Sequence, residues 1–356
     1  MMRQRLWLLF VALAWLGLAQ AAAAGELPKV KYILSAKTGT THYPATLAEH
    51  LGFFREDGYD IEVLPGGGSG YVVQQLAASQ LDIGQGSPGA ILMGLQRGYK
   101  FKGVYTIFYK DVFPLITLAD SKVQKVEDLK GGALGISDFG GGEVAIARGV
   151  LARAGLTVGK DVNLLPVGEN PASALNALRT AKVGAYMSGF QDIVAIRYRE
   201  PKIREIAIPQ TAKFQSQIVV MREEVYEKQR PMVVALCRGL AKGTLFAHTN
   251  PAAAQAILAK LAPAEYVDPK FGRLFLDTVI DLTRSPEPDY TRGEFGRNSK
   301  EAWEAYQDFL ITGKRAAEGA LEKPQDLDRF LTNDLVPECN KYDKERIRKM
   351  AREWKM

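Results

Sequence analysis

Four short segments combine glycine with hydroxyl side chains, residue types that bring unpaired backbone amides close to a ligand. They are T-G-T-T-H-Y-P (38–44), G-G-G-S-G (66–70), G-Q-G-S-P-G (84–89) and S-D-F-G-G-G-E (137–143). Glycine permits positive φ and a close approach of the ligand to the backbone. Where such a segment leads into a helix, the free N–H groups and the helix dipole attract anions or hydrogen-bond acceptors. The segments therefore predict a noncovalent binding site.

The four segments match no nucleotide-binding or nucleophile motif. Segment 66–70 lacks the Gly-Lys-Ser/Thr ending of a P-loop, and 140–142 lacks the G-x-G-x-x-G spacing of a dinucleotide site. A nucleophile elbow, G-x-S-x-G, would need one more residue between Ser69 and Gly70. Each glycine run is also compatible with a simple tight turn between a strand and a helix. The segments alone favour binding over covalent chemistry.

Metal and cysteine chemistry are not indicated elsewhere in the sequence. His42, His50 and His248 form no short-spaced zinc motif such as H-E-x-x-H. Cys237 lies in the apolar run M-V-V-A-L-C, where a small buried side chain is expected rather than a nucleophile. Whether Cys237 pairs with Cys339 in a disulfide stays open. We predict no metal, no cofactor and no enzymatic reaction.

The stretches around these segments alternate between β-type and helical patterns. The first unit contains strands over 29–35, 60–64 and 81–84 and helices over 44–54 and after 66–70; the second contains strands over 132–137, 163–167 and 183–188 and helices over 143–154 and 172–178. This alternation predicts an α/β fold with largely parallel sheets, in which ligands bind beyond the carboxyl ends of the strands. Two similar units predict two similar lobes.

The second unit interrupts the first. The β-type stretches 114–119 and 215–221 flank it, and we expect the chain to cross between the lobes there. Lobe 1 is predicted to comprise residues 25–120 and 211–356, and lobe 2 residues 121–210. Beyond Glu223 the patterns are helical, and these helices are expected to pack on lobe 1; they cover 231–248, 251–261, 270–282 and 299–311.

Longer stretches resemble the substrate-binding proteins of nitrate, sulfonate, taurine and thiamine-precursor importers. The similar stretches are Y-P-A-T-L-A-E-H-L-G-F-F-R-E-D-G-Y-D-I-E-V-L-P-G-G-G-S (43–69), Q-Q-L-A-A-S-Q-L-D-I-G-Q-G-S-P (74–88), V-E-D-L-K-G-G-A-L-G-I-S-D-F-G-G-G (126–142), N-P-A-S-A-L-N-A-L (170–178) and W-E-A-Y-Q-D-F-L-I-T-G (303–313). They extend over nearly the whole chain after the N-terminal segment. The resemblance implies a type II periplasmic binding protein fold, two β-α-β lobes joined by a two-strand hinge.

The same resemblance implies the ligand-binding residues. Matched to the pocket loops of the family, they are Thr40, Thr41, His42, Tyr43, Gly68, Ser69, Gly86, Ser87, Ser137, Phe139, Gly140, Tyr186, Met187, Ser188 and Gln215. His42 could face the ligand or cap a helix. The side chains of Tyr43, Phe139 and Tyr186 could stack on a planar ligand or cover the core. Gly184 departs from the family, in which an Asp often stands before the alanine that is Ala185 here. The family's usual local geometry is therefore not implied at this position.

The resemblance further implies a solute-binding subunit that closes over a small molecule and delivers it to an ABC permease. Helix N-termini from two lobes suggest an anionic ligand, and the absence of arginine from the pocket loops favours an organic monoanion such as a sulfonate, carboxylate or nitrate-like group. Alternatives are a thiamine-type pyrimidine or flavin precursor, a ligand-sensing domain, and an enzyme on the same fold. The thiamine-pyrimidine synthase of this fold uses a C-C-C-F-C run that is not found here.

The N-terminus has the layout of a cleaved signal peptide, which predicts a periplasmic protein. Arg3 and Arg5 precede the apolar stretch 6–19 and a small-residue run at 21–24, so residues 1–24 are the predicted signal peptide. The net charge is +6, and 341–356 alone holds seven Lys or Arg against three Asp or Glu. The remaining chain is near neutral, which argues against nucleic acid as a partner. We expect a monomer with a solvated basic C-terminal helix.

Overall fold

The computed structural model describes residues 26–37, 39–312 and 321–355. The predicted signal peptide lies outside these residues. Within the described ranges, no helix is both long enough and apolar enough to cross a bilayer. Strands and helices alternate up to Arg222, and helices follow to the C-terminus.

Lobe 1 is built on a five-stranded sheet with the order β2-β1-β3-β10-β4. Its strands are β1 (Lys29–Ile33), β2 (Asp60–Leu64), β3 (Ile83–Gly86), β4 (Phe101–Phe108) and β10 (Ser216–Arg222), and its connecting helices are α1 (Tyr43–His50), α2 (Ser69–Ala77) and α3 (Pro88–Gln96). Strands β2, β1 and β3 are parallel, whereas β10 runs antiparallel between β3 and β4. The helices therefore start at the carboxyl ends of β1, β2 and β3, where a ligand site is expected.

Lobe 2 repeats this arrangement in the order β7-β6-β8-β5-β9. Its elements are β5 (Leu115–Leu118), β6 (Ala133–Ile136), α4 (Val144–Arg153), β7 (Asn163–Pro166), α5 (Pro171–Arg179), β8 (Ala185–Met187), α6 (Phe190–Arg199) and β9 (Ile203–Glu205). Strand β5 is antiparallel to both of its neighbours, as β10 is in lobe 1. The same strand order in both sheets confirms the prediction of two matched lobes.

Local sequence accounts for most of these elements. Strand β6 is an uninterrupted apolar run and is buried at every position, as expected for a parallel strand covered on both faces. Helix α5 begins with an Asn170 cap that accepts a hydrogen bond from the Ala172 amide, followed by Pro171 at the first helical position. The helices likewise bury one apolar stripe, because side chains three and four residues apart share a face.

The chain crosses between the lobes at 109–114 and at 206–215. The sequence placed 114–119 at the edge of lobe 1, with the boundary after Asp120. Strand β5 instead pairs with β8 and β9, so the boundary precedes Leu115. The return crossing surrounds the predicted boundary at 210. A short apolar strand buried on both faces does not indicate which of two sheets it joins, because that pairing is made with residues distant in sequence.

The C-terminal helices pack on lobe 1 and also contact lobe 2. They are α7 (Glu223–Lys228), α8 (Arg230–Thr249), α9 (Pro251–Leu261), α10 (Pro269–Leu282), α11 (Asp289–Arg292), α12 (Lys300–Thr312), α13 (Leu327–Phe330), α14 (Val336–Cys339) and α15 (Lys344–Arg352). Helix α8 lies along α1, while α10 contacts α6 and α12 contacts α4. Cys237 in α8 and Cys339 in α14 are buried free thiols. The C-terminal region therefore touches both lobes.

Candidate ligand-binding site

A crevice between the lobes brings together residues from both. Its lining residues are Ser35, Ala36, Thr41, Gly68, Ser69, Phe108, Val112, Phe113, Ser137, Gly141, Gly142, Glu143, Glu169, Ser188, Gly189, Phe190, Gln191, Asp192 and Gln217. Lobe 1 contributes the ends of β1 and β4, the start of α2 and a residue of β10. Lobe 2 contributes the loops after β6 and β8. We call this the interlobe cleft.

Glycine permits the close approach of the two lobes. The Gly70 amide donates a hydrogen bond to the Gly140 carbonyl oxygen at 3.2 Å. A Cβ at Gly68, where φ is +103°, would lie 2.6 Å from that same oxygen. A Cβ at Gly142 would lie 2.7 Å from the Phe113 ring and 2.9 Å from Ser87 Oγ. Segments 66–70, 84–89 and 137–143 therefore meet at the lobe interface, as the sequence predicted.

The cleft is nearly closed. Its cavity volume is about 50 Å³, well below the roughly 300–1,000 Å³ that small-molecule pockets usually enclose. Ser87 Oγ also donates a hydrogen bond across the interface, to the Gly142 carbonyl oxygen at 3.4 Å. The lobes must therefore separate to admit an organic ligand, which is the hinge motion expected of a two-lobed binding protein.

Glu143 immediately precedes α4, and its carboxylate turns back toward the end of β6. Its Oε1 accepts hydrogen bonds from the Ser137 amide, at 2.9 Å, and from the Ser137 hydroxyl. The side chain is buried, and burial raises the pKa of Glu143 although these hydrogen bonds oppose the rise. The Ser137 amide, in one of the segments that the sequence suggested for an anionic ligand, thus donates to a carboxylate of the protein.

Asp192 places a second acidic group in the interlobe cleft. It is the third residue of α6 and accepts a hydrogen bond from the Ser188 hydroxyl. The pKa of Asp192 is raised to about 7, chiefly by burial; the carboxylates of Glu169 and Glu143 add to the rise, and the Ser188 hydrogen bond opposes it. Among the described residues that line the cleft there is no lysine or arginine. The lobe 2 side of the cleft is therefore acidic.

In the loop before α1, backbone amides are likewise hydrogen-bonded to a carboxylate of the protein itself. The amides of Gly39 and Thr40 donate hydrogen bonds to the two carboxylate oxygens of Glu265, at 2.7 and 3.0 Å. The Thr40 hydroxyl is 2.9 Å from the Tyr266 hydroxyl. Glu265 belongs to the C-terminal region, so these amides hold lobe 1 together. They are not free to bind a ligand in this conformation.

A second concavity lies on lobe 1 alone. Its volume is about 670 Å³, and its walls come from Leu34, Lys37, Thr46, Glu49, His50, Val63, Pro65 and residues 261–265. It is larger than the interlobe cleft, but no residue of lobe 2 contributes to it. Within the described ranges, no group of three or more His, Cys, Asp or Glu side chains is placed to hold a metal ion. The interlobe cleft is thus the candidate site.

The sequence of residues 39–254 matches the model of a family described as NMT1/THI5 like. This chain belongs to the NMT1/THI5-like family. No curated protein matches its sequence. Solved structures do match the fold of this NMT1/THI5-like chain, and those compared below are at most 17% identical to it in sequence.

Three of these structures cover nearly the whole molecule. A protein of Bordetella bronchiseptica RB50 is 17% identical, with a TM-score of 0.71 over 89% of this chain and 98% of its own. The alkanesulfonate-binding protein SsuA from Xanthomonas axonopodis pv. citri, bound to MOPS, is 16% identical, with a TM-score of 0.62 over 84% and 97%. A Candida albicans protein with the generic periplasmic binding protein fold is 14% identical, with a TM-score of 0.64 over 87% and 97%. The NMT1/THI5-like chain therefore has the periplasmic binding protein fold expected from its sequence.

Seven of the residues proposed from the sequence of this NMT1/THI5-like protein lie at the interlobe cleft or its rim. Those that line the cleft are Thr41, Gly68, Ser69, Ser137 and Ser188. Ser69 Oγ accepts a hydrogen bond from the Ser87 amide at 3.0 Å, which joins the starts of α2 and α3. Ser87 and Gly140 make the lobe–lobe hydrogen bonds described above. These residues cluster because the starts of α2, α3 and α4 converge at the cleft.

Four other proposed residues are packed inside lobe 1, among them Thr40, which Glu265 and Tyr266 hold as described above. Tyr43 Oη lies 2.6 Å from Thr283 Oγ1 and so faces the C-terminal region. His42 Nδ1 is 3.1 Å from Gln85 Nε2, and burial lowers the pKa of His42 to about 3, so its ring is neutral. Gly86 packs against Ile91 and Ser69. The structure gives these four residues roles within lobe 1.

The remaining proposed residues also lie away from the lining of the cleft. Tyr186 and Met187 are buried in β8 of lobe 2, where the Tyr186 hydroxyl donates to the Gly168 carbonyl oxygen at 2.9 Å. Gln215 Oε1 accepts a hydrogen bond from the Ser299 amide at 2.8 Å and so fixes the return crossing. Phe139 is 56% exposed. Gly184 packs against Leu129 and Val123, where an added Cβ would lie 2.9 and 3.0 Å from their side chains.

Sequence reasoning missed Gln217, two residues beyond Gln215. Gln217 has a φ of +47°, which is rare for a residue other than glycine and is often found at functional sites. Its Oε1 accepts a hydrogen bond from the Ser35 hydroxyl at 2.9 Å, within the cleft. Regular alternation along the predicted strand 215–221 would have indicated that Gln215 and Gln217 share one side. It could not show which of them reaches the cleft.

The acidic residues and an aromatic wall were also missed. Phe108, Phe113 and Phe190 line the cleft, and the rings of Phe108 and Phe190 meet edge to face with centroids 5.9 Å apart. Glu143 immediately precedes α4 and Asp192 lies in the first turn of α6, positions where acidic residues are common because they interact favourably with the helix dipole. Because that role is common, the sequence offered no reason to place these two residues at the cleft.

Proposed function

We propose that this chain is the periplasmic solute-binding subunit of an ABC importer and performs no chemistry on its ligand. The observation that supports this most is the interlobe cleft, in which both lobes place hydrogen-bonding groups around a common space. Family membership agrees, and the SsuA neighbour is by its description a sulfonate-binding protein. Ligand would enter the open form, and contacts made only in the closed form would shift the population toward closure. The closed protein would then dock on its permease.

The charge of the cleft argues against the monoanion that the sequence suggested. An anionic ligand would lie beside Glu143, Glu169 and Asp192. The described lining of the cleft offers no lysine or arginine with which the ligand could pair. Like charges held close in a poorly solvated site repel strongly. A monoanion would bind only if it arrived with protons to neutralise these acids. Loop amides that could otherwise have received it, those of Ser137, Gly39 and Thr40, instead donate to Glu143 and Glu265.

We infer a ligand that donates hydrogen bonds and carries a planar ring, which favours the thiamine-type aminopyrimidine alternative. Amino or protonated ring-nitrogen groups would donate to the carboxylates of Glu143 and Asp192, and charge-assisted hydrogen bonds of this kind are strong. The rings of Phe108, Phe113 and Phe190 offer faces and edges against which a planar ring can pack. Gln217 and the Ser35 hydroxyl would supply neutral polar contacts from lobe 1.

Calorimetric titration of the exported protein with matched probes tests this function. A 4-aminopyrimidine, an alkanesulfonate, an aromatic carboxylate and nitrate would each be titrated at pH 8, with unfolding temperature as a second readout, since a ligand of the native state raises it. We expect the aminopyrimidine alone to bind tightly and to remain chemically unchanged. Tight binding of the sulfonate with none of the pyrimidine would overturn the ligand class. Accumulation of a reaction product would overturn the binding-protein function.

A further inference from the structure

Helices α6 of lobe 2 and α10 of the C-terminal region pack side by side outside the interlobe cleft. At one end of the pair, the Tyr198 hydroxyl donates a hydrogen bond to Asp268 Oδ2 at 2.6 Å, and the Tyr198 and Phe271 ring centroids are 5.3 Å apart. Tyr198 is 40% exposed. Its contacts in this conformation join lobe 2 to residues that are fixed to lobe 1. We call Tyr198, Asp268 and Phe271 the latch.

A continuous row of aromatic rings connects the latch to the cleft. Phe271 and Phe275, one turn apart on α10, have centroids 5.8 Å apart and nearly parallel planes. Phe275 lies 6.0 Å from Phe190, which in turn lies 5.9 Å from Phe108. Phe190 and Phe108 line the cleft. Helix α6 therefore carries a cleft residue at its start and the latch tyrosine near its end.

The other end of the helix pair lies at the crossing between the lobes. The Phe190 amide donates a hydrogen bond to the Val112 carbonyl oxygen at 2.8 Å, and the Tyr109 amide donates to the Leu282 carbonyl oxygen at 2.9 Å. The start of α6 and the end of α10 are thus both tied to residues 109–114. Eight residues of helix separate Phe190 from Tyr198, about 12 Å at 1.5 Å per residue. The latch is the part of this interface that lies farthest from the crossing.

This geometry gives the latch leverage over lobe opening. If the lobes rotate about the crossing by about 20°, a residue about 12 Å along α6 from the crossing moves by about 4 Å relative to α10. A hydrogen bond of 2.6 Å does not survive such a displacement, because hydrogen bonds to oxygen are lost beyond about 3.5 Å. A rotation of this size would therefore break the contact between Tyr198 and Asp268.

We propose that the latch stabilises the closed form and so sets ligand affinity without touching the ligand. Contacts made only in the closed form bias the equilibrium between open and closed lobes, with or without a ligand. A bias of this kind would slow ligand release, since release requires opening. The part of this proposal that concerns affinity rests on the proposed solute-binding function. The part that concerns lobe closure does not.

The matched pair Tyr198→Phe and Tyr99→Phe tests the latch. Both tyrosines are surface residues of similar exposure, 40% and 38%, but Tyr99 packs on Phe101 within lobe 1. Small-angle X-ray scattering of ligand-free protein would measure the radius of gyration. We expect Tyr198→Phe to enlarge it and Tyr99→Phe to leave it at the wild-type value. Unfolding temperature would verify that both variants are folded. Equal scattering from Tyr198→Phe and wild type would overturn the proposal.

Ligand binding supplies the second arm. The Tyr198 hydroxyl donates to the carboxylate of Asp268 at the protein surface, where water competes for both groups. Losing this bond should change an equilibrium constant only roughly 2- to 12-fold, the low range for a hydrogen bond. We therefore expect Tyr198→Phe to weaken aminopyrimidine binding about 2- to 12-fold, chiefly through faster dissociation in stopped-flow fluorescence. If the wild type binds the probe and Tyr198→Phe releases it at the same rate as the wild type, the proposal is also overturned. Should the wild type bind no probe, the proposed function fails, while the scattering result still decides on the latch.

Discussion

Lobe 1 and lobe 2 have the same strand order, yet they present unlike side chains to the cleft between them. Lobe 1 offers neutral polar groups, among them Ser35, Thr41, Ser69 and Gln217, whereas lobe 2 offers the carboxyl groups of Glu143, Glu169 and Asp192. Matched topology brings matched loops to the site, but it does not match their chemistry. Under the proposed function, the acidic lobe would set the charge of the ligand, and the neutral lobe would contribute shape and hydrogen bonds. Four experiments test this contrast between the two lobes.

The largest expected effect on affinity comes from removing one polar group on each side of the comparison. Asp192→Asn should weaken aminopyrimidine binding about 10- to 150-fold, because a hydrogen bond to a charged group is worth about 1.5–3 kcal/mol. Ser35→Ala on lobe 1 should cost only about 2- to 12-fold. Calorimetric titration at pH 8 measures both constants. Equal losses for the two variants would contradict the division of roles between the lobes.

The pH dependence of affinity gives the sign of the ligand charge. Burial raises the pKa of Asp192 to about 7, so the group is a carboxylate only above that pH in the free protein. A donor ligand needs the carboxylate, and its affinity should fall up to about tenfold for each pH unit below 7. An anionic ligand would show the opposite slope. Titrations between pH 5 and 8 distinguish the two, with Asp192→Asn as the control that should show little slope in this range.

Stability of the free protein, measured without ligand, gives a separate test of Asp192. Because the folded-state pKa of Asp192 lies above its unfolded value, its contribution is fully present below about pH 4 and is lost as the pH rises through about 7. At pH 8 the buried charge should lower the free energy of unfolding by roughly 2–4 kcal/mol. Asp192→Asn should therefore stabilise the free protein at pH 8 and not at pH 4. Urea denaturation at the two values measures this, and stabilisation at both would contradict the titration of Asp192.

The smallest effect is expected on the neutral side of the cleft. Gln217→Gly removes the hydrogen bond from Ser35 but relieves a positive φ, which costs other residues roughly 1–2 kcal/mol. We expect the free energy of unfolding to change by less than about 1 kcal/mol, because the two effects oppose each other. Affinity should fall about 2- to 12-fold. A large loss of stability with unchanged affinity would assign Gln217 to the fold alone.

Much of the fold was predictable because it depends on patterns within a few residues. Strand β6 is an apolar run, and α5 begins with Asn170 and Pro171. The glycines of segments 66–70 and 137–143 also indicated that two backbone segments approach closely. Strand β5 was harder to place, because its four residues pair with either sheet equally well on their own. Its partners in lobe 2 lie about 70 to 90 residues further along the chain.

The candidate site was predictable only as a set of loops. Which amides remain available depends on carboxylates such as Glu265, which reaches Gly39 and Thr40 from more than 220 residues away. The same holds for Gln215 and Gln217, whose sequence context is alike although one fixes the crossing and the other lines the cleft. Charge in the cleft follows from side-chain placement, which no local pattern specifies.

By itself, the sequence determined that this protein has two α/β lobes with glycine-rich helix starts facing a common crevice, because hydrophobic periodicity and turn residues act locally. Only the tertiary structure decided that lobe 2 makes the crevice acidic, that several proposed ligand residues are packed within lobe 1 or lobe 2, and that α6 meets α10 at a latch. Those features arise from contacts between residues far apart in the chain. Burial and the electrostatic fields of neighbours act through space, so they exist only once the chain has folded.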